Sequence, residues 1–255
     1  MKQLPEITRK ELALLRSLST RNGRKKSGCC RCEGVRAVRE LFDKAPDLVS
    51  FTAGTERGFE ALKFIPDNAR LISETLLSEI SDTINTQGVM AVAAPPPPAS
   101  GEVQGPFVLA LDQLNDPGNF GTIARTFRAI GGAEIWYTKG SVDPWCDKAI
   151  RSGMGAQFSL RFRKFEDLPE LAAAAKALGF TRTFIADPHD GTSCFTCSGL
   201  FDKSVIVIGS EANGVTCHPD GSENVIIPMP GDYESLNAAQ AATVLLLEYV
   251  RRTTI

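Results

Sequence analysis

The sequence has little of what many active sites are built from. It holds two histidines in 255 residues, too few for a His-rich metal constellation. No apolar run reaches the length of a membrane span, and the basic start "MKQLPEITRKELALLRSLSTRNGRKK" lacks the apolar core of a secretory signal. A cytoplasmic protein without membrane association is therefore expected. The patterns that cradle nucleotide phosphates, G-x-x-x-x-G-K-[ST] and G-x-G-x-x-G, are both missing. The seven cysteines include the pair Cys194 and Cys197, spaced C-x-x-C, and the cluster "GCCRCEG". Cys217-His218 is a poor second pair for a zinc site. They read as small buried thiols, with no metal and no disulfide framework.

What is present is ordinary in bulk and uneven in detail. At 43% hydrophobic and 23% charged residues the chain is globular in composition, and its length favours two domains. The net charge of −2 hides an asymmetry: residues 1–39 carry eleven Lys or Arg against three Glu. Such an arm is either a solvated helix face or a surface for an anionic partner such as RNA, with Arg24, Lys25 and Lys26 at its centre. Binding there would weaken steeply with salt.

The stretch "AAPPPPASGEVQGP" at residues 93–106 marks a boundary, its prolines stiff and its Gly/Ser loose. It divides the chain into a domain over 1–98, a linker over 99–106 and a domain over 107–255. In the first, hydrophobic period predicts helices over 6–18, 34–44, within 56–64 and over 73–81, the last opened by Ser73. Strands are predicted around "SGCCRCE", "DLVSFTA", "ARLI" and "GVMAVAA". In the second, "PFVLALD", "AEIWYT", "TRTFIAD", "KSVIVIG" and "NVIIPM" read as strands, several apolar throughout as in a parallel sheet. Helices are expected around 120–130, 144–152, 166–178 and 235–252. The fold class is α/β, with ligands at strand carboxyl ends.

Three stretches put backbone-exposing loops at such ends. "NDPGNFGTIARTFRAIGG" has a Pro117-Gly118 turn, Gly121 for close backbone passage, the amide of Asn119, and Arg125. "VIVIGSEANGV" ends a strand at Gly209 and continues with Ser210, Glu211 and Gly214. "VIIPMPGDYESLNAAQAATVLLLEYVRR" runs from strand through a Pro/Gly loop to a helix with Ser235 as cap. Each alone is also a plain strand–helix turn; together they indicate one loop-built cleft.

"LDQLNDPGNFGTIARTFRAIGG", "IVIGSEANGV" and "IIPMPGDYESLNAAQAATVLLLEYVRR" resemble, in order and spacing, the three motifs of the SpoU (TrmH) family of RNA 2′-O-ribose methyltransferases in the SPOUT superfamily. The resemblance covers about residues 107–252. "CCRCEGVRAVRE" and "SDTINTQGVMAVAAPP" are similar to the ends of that family's RNA substrate-binding domain, a small α/β module akin to a ribosomal protein. The resemblance implies a mostly parallel sheet with a deep trefoil knot, S-adenosylmethionine as cofactor, a homodimer, and RNA rather than DNA as partner. Ribosomal RNA is favoured over transfer RNA. It places Gly209, Ile227 and Leu236 at cofactor positions and Asn119, Arg125, Glu211, Ser235 and Asn237 at active-site positions. Ala238 and Ala239 depart from the usual Val-Ser, and "GCCRCEG" from a β-branched strand; neither removes a needed polar group.

The resemblance implies a role for Arg125 as base, but a guanidinium holds its proton, so gripping a phosphate and stabilising alkoxide charge is the favoured role. Asn119 would orient Arg125 or the ribose, and Glu211 would pair with the loop or assist proton transfer. Two rivals stand beside this reading: a non-catalytic RNA-binding or ribosome-assembly protein of the same fold, and a base methyltransferase on the same architecture.

Overall fold

The computed structural model describes residues 4–231 and 235–254. Its elements run α1 (Arg9–Ser17), α2 (Arg21–Ser27), β1 (Cys30–Glu33), α3 (Val35–Lys44), β2 (Val49–Gly54), α4 (Glu56–Leu62), β3 (Ala69–Leu71), α5 (Glu74–Ile80) and β4 (Val89–Ala93). There follow β5 (Phe107–Leu111), α6 (Pro117–Ala129), β6 (Glu134–Thr138), α7 (Asp147–Ser152), β7 (Arg161–Phe165) and α8 (Leu168–Ala177). The last are β8 (Arg182–Ala186), β9 (Thr192–Ser193), β10 (Ser204–Ile208), β11 (Glu223–Ile226) and α9 (Ala238–Thr254). Two compact units result: the chain up to Pro97 with Asp143–Ser159, and Pro98–Val142 with the chain from Leu160 onward.

The first unit is a four-stranded sheet in the order β1-β4-β2-β3, with only β2 and β3 parallel. Alternation along β4 sends Val89, Ala91 and Ala93 into a core with Cys30, Cys32, Val38, Leu41 and Phe59. Met90 and Val92 enter a second core with Leu15, Leu18, Phe51, Leu77 and Ile80. Helices on both faces follow from this period of two. Burial raises the thiols of Cys30 and Cys32 far above their ordinary range, which leaves them inert packing groups. Ser73 caps α5 by accepting from Leu76 N–H at 3.3 Å.

Residues 143–159, which sequence order places in the second domain, pack into this first unit through charge. Arg31, fully buried on β1, donates to the Asp147 carboxylate, and Arg24 donates to Asp143 at 2.9 Å. Arg24 is thus 8% exposed and also donates to Leu18 O, so it is a structural arginine. Its inclusion in a free basic surface is corrected; Lys25 and Lys26 are exposed.

The second unit holds a seven-stranded sheet ordered β7-β6-β5-β10-β8-β11-β9, every pairing parallel. β5 and β10 are buried along their whole length, as their unbroken apolar runs require. Residues 99–102 are not a loose spacer: Ala99 N–H donates to Phe162 O at 2.8 Å, and Arg161 and Arg163 donate to the carbonyls of Ser100 and Gly101. Both arginines also face the buried Glu134 carboxylate. Among the described residues no helix is long and apolar enough to cross a membrane.

α9 is fastened at its far end by Glu248, 4% exposed, which accepts from Arg251 at 2.7 and 2.8 Å and from Arg252 at 2.7 Å. Arg252 also donates to the carbonyls of Cys197, at 2.8 Å, and Cys194. The Arg251 hydrogen bond, followed by that of Arg252, holds the Glu248 carboxyl down at about 2. A lowered carboxylate contributes stability that is present above its ordinary value of 4.5 and is lost as pH falls towards 2. Glu248→Gln should therefore cost roughly 1–3 kcal/mol at neutral pH, a drop of a few degrees in Tm. Thermal melts across a pH series should show the gap between variant and parent closing as pH falls below 4.5.

Candidate active site

Because β5, β10 and β11 run parallel, the chain leaves all three at the same edge of the sheet. The first exit is short. Asp116 caps α6 by accepting from Asn119 N–H at 2.7 Å, with Pro117 as the first helical residue. Pro117 and Gly118 therefore open a helix instead of forming a tight turn, a correction that follows from proline's fixed φ suiting the first helical position. Gly121 is buried inside α6.

The second exit closes on itself. Ser210 and Gly214 exchange backbone hydrogen bonds, each of 2.9 Å, and a Cβ on Gly209 would lie 2.2 Å from the Gly214 carbonyl carbon. Only glycine permits that approach. The third exit begins at Ile227, half-buried directly after β11, and re-enters described structure at Ser235. Residues 232–234 of that motif lie outside the described residues.

Side-chain amides join the three exits. Asn119 Nδ2 donates to the Glu211 carboxylate, and Asn237 Nδ2 donates to Asn119 Oδ1 at 3.1 Å. Asn237 Oδ1 accepts from the Ala239 and Gln240 N–H groups at 3.0 and 3.3 Å. It is thus the side-chain cap of α9. The expectation that Ser235 caps this helix is corrected: the helix starts at Ala238, too far along for a Ser235 cap. Ser235 is exposed and Leu236 half-buried, both leading into Asn237.

Asn119, Glu211 and Asn237 thus form one hydrogen-bonded chain across three loops. Gly209 adjoins it in sequence two residues before Glu211. Arg125 stands apart, exposed on α6, and Asn119 spends its amide on Glu211 and Asn237 and not on Arg125. Sequence reasoning missed Asp112, 1% exposed at the end of β5, which accepts from Thr138 and Thr216 beneath the loops. Its signal was an acidic residue closing the buried run "FVLAL".

Loops with bare backbone over the carboxyl edge of a parallel sheet, bound together by amides, define an α/β enzyme with its ligand cleft at strand ends. Comparison with known proteins narrows this. A model of the SpoU rRNA Methylase family matches residues 106–247, and one of an MRM3-like substrate binding domain matches residues 10–91. The chain is 30% identical to an uncharacterized tRNA/rRNA methyltransferase of Synechocystis sp., over 93% of this chain and 89% of that protein. It is 25% identical to the 23S rRNA (guanosine(2553)-2′-O)-methyltransferase RlmP of Bacillus subtilis, over 96% and 98%.

Among solved structures, a putative RNA methyltransferase of the TrmH family from Porphyromonas gingivalis superposes with a TM-score of 0.81 at 27% identity, covering 97% of this chain and 99% of that one. The SpoU methyltransferase AviRb from Streptomyces viridochromogenes, in complex with AdoMet, gives 0.79 at 25% identity, covering 94% and 97%. The chain belongs to the SpoU rRNA methylase family. It is an RNA 2′-O-ribose methyltransferase with S-adenosylmethionine as its cofactor.

The loop after β10 tolerates no side chain at its first residue. Gly209→Ala should leave far-UV circular dichroism unchanged while forcing Ser210–Gly214 outward. Calorimetry should then show S-adenosylmethionine affinity lower by roughly tenfold or more.

Proposed function

We propose that the chain methylates a ribose 2′-oxygen in ribosomal RNA, with the site at the carboxyl edge of the second unit's sheet. The observation that carries this reading is the hydrogen-bonded sequence Glu211–Asn119–Asn237, which draws together the three loops of the family motifs. Bare backbone at Gly209 and half-buried apolar side chains at Ile227 and Leu236 suit a flat, partly apolar cofactor, and these three would hold it. Bound there, S-adenosylmethionine supplies a sulfonium methyl group with its own leaving group.

The chain's own residues then align and deprotonate the hydroxyl. Arg125, exposed on α6, forks onto the RNA phosphate next to the ribose and stabilises developing negative charge on the 2′-oxygen. Asn119, with both its amide atoms engaged, is a fixed wall of the cleft that holds Glu211 and Asn237. Glu211 is exposed, with a carboxylate able to take up the proton, while Ser235 lines the way into Asn237. The first unit, matched by a substrate binding domain, would bind RNA through exposed Lys25 and Lys26 on α2. A cytosolic homodimer and a trefoil knot in the second unit complete the proposal.

Arg125→Ala should keep S-adenosylmethionine affinity and lose roughly 100-fold or more in kcat. The parent's product RNA should show a gap in its alkaline ladder at one ribose; an uninterrupted ladder with methyl incorporated would mean base methylation. Lys25→Gln with Lys26→Gln should weaken RNA binding and flatten the plot of log affinity against log salt by about one unit per lysine. An unchanged slope would place the RNA elsewhere.

A further inference from the structure

The geometry points to Asp112 as a positioning residue for methyl transfer, one that sets the cofactor loop against the loop that enters α6. The inference rests on the methyltransferase reading of this site. Asp112 follows β5 directly, and its N–H extends the ladder by donating to Ile208 O at 2.8 Å. Its carboxylate is sealed from solvent, and two different segments turn their donors towards it. Oδ1 accepts from Thr138 Oγ1, at the end of β6, at 2.6 Å. Oδ2 accepts from both the backbone N–H and the Oγ1 of Thr216, at 2.6 and 2.8 Å.

A carboxyl group buried so completely needs several partners in place of its water. Here those donors come from places that chain connectivity alone would leave free. Thr216 follows the Ser210–Gly214 closure by two residues, so Asp112 grips the cofactor loop immediately beyond its own hydrogen bonds. Gly209 and Glu211 are then held at both sides: by β10 before them, and by the carboxylate after them.

The same carboxylate acts on the first loop through Thr138. With its proton given to Asp112, Thr138 Oγ1 has lone pairs left, and it accepts from Gln113 N–H at 3.1 Å. Gln113 sits at φ 49°, a left-handed backbone that a non-glycine residue adopts at a cost. That turn starts the path to Asp116, the cap of α6, and so to Asn119. One acceptor-only group therefore fixes the direction of two threonine hydroxyls and, through them, two of the three loops. An asparagine there would turn an N–H donor towards groups that are already donors.

Asp112→Asn and Thr216→Val, each in the full chain, test this. Thr216 is exposed as a residue, and its valine variant keeps the backbone N–H bond, so it should fold even if the asparagine variant does not. For Asp112→Asn the expected result is a rise of about tenfold or more in both the calorimetric Kd and the KM for S-adenosylmethionine, with a smaller change in kcat. For Thr216→Val a rise of roughly threefold is expected. Arg125→Ala should show the opposite split. Variants that melt earlier yet keep the parental Kd and KM would make Asp112 a support of the fold alone and overturn the inference. Should Asp112→Asn fail to fold, an unchanged Kd and KM in Thr216→Val would overturn it equally. If the parent itself failed to bind S-adenosylmethionine, the methyltransferase reading would fall first, and that outcome is visible without any variant.

Discussion

Everything at the active edge depends on strands that emerge in the same direction and on polar side chains that stop their loops from drifting apart. Parallel pairing of β5, β10, β8 and β11 delivers three loops to one edge, but pairing ends where the strands end. Beyond that line the Glu211–Asn119–Asn237 chain is what joins them. Asn119 is central because an amide can donate and accept at once, so one side chain serves a carboxylate on one loop and a second amide on another. Aspartate at 119 would meet Glu211 with like charge, and alanine would join nothing.

That cluster is exposed, and exposed hydrogen bonds are individually weak against water. A deeper layer makes its geometry dependable. Asp112 and Thr138 are buried, and from that buried position Asp112 holds Thr216 as well. At the far side, Asn237 both ends the third loop and caps α9. Position is thus set from within, by buried acceptors, while the surface keeps the groups proposed to meet RNA.

Much of this was legible in the sequence, and the failures have identifiable causes. Strands β5 and β10 were plain because unbroken apolar runs are what full burial demands, and Ser73 was plain as a cap. Helix α2 was missed because "RNGRKKS" has no apolar period; its signals are the Thr20 cap and Gly28 in the left-handed conformation at its end. Strand β7, "RFRKF", was hidden by three basic residues, two of which answer the buried Glu134. Arg24 looked like one of a basic trio, and nothing local announces that its partner Asp143 lies more than a hundred residues away. The segment 143–159 was assigned by neighbourhood in sequence, whereas Arg31–Asp147 ties it to β1. At the site, Asn119, Glu211 and Asn237 came from resemblance to a family, and their direct contact could be known only from coordinates.

The contrast between Asn119 and Arg125 separates two tasks within one helix. Asn119 lies in the first turn of α6, where the Asp116 cap fixes its backbone, and its side chain is already committed to neighbouring loops. It holds the cleft together and has little capacity left for substrate. Arg125 lies further along the same helix, rigid in backbone and exposed in side chain. A guanidinium mounted in this way keeps its fork of donors available at small conformational cost, which suits a planar, bidentate grip on a phosphate. Proton removal asks for a group with an open lone pair, which guanidinium lacks and the exposed Glu211 carboxylate has. In the proposed reaction that chemistry would divide the labour: Arg125 would hold the RNA backbone and the charge, and Glu211, held by Asn119, would take the proton.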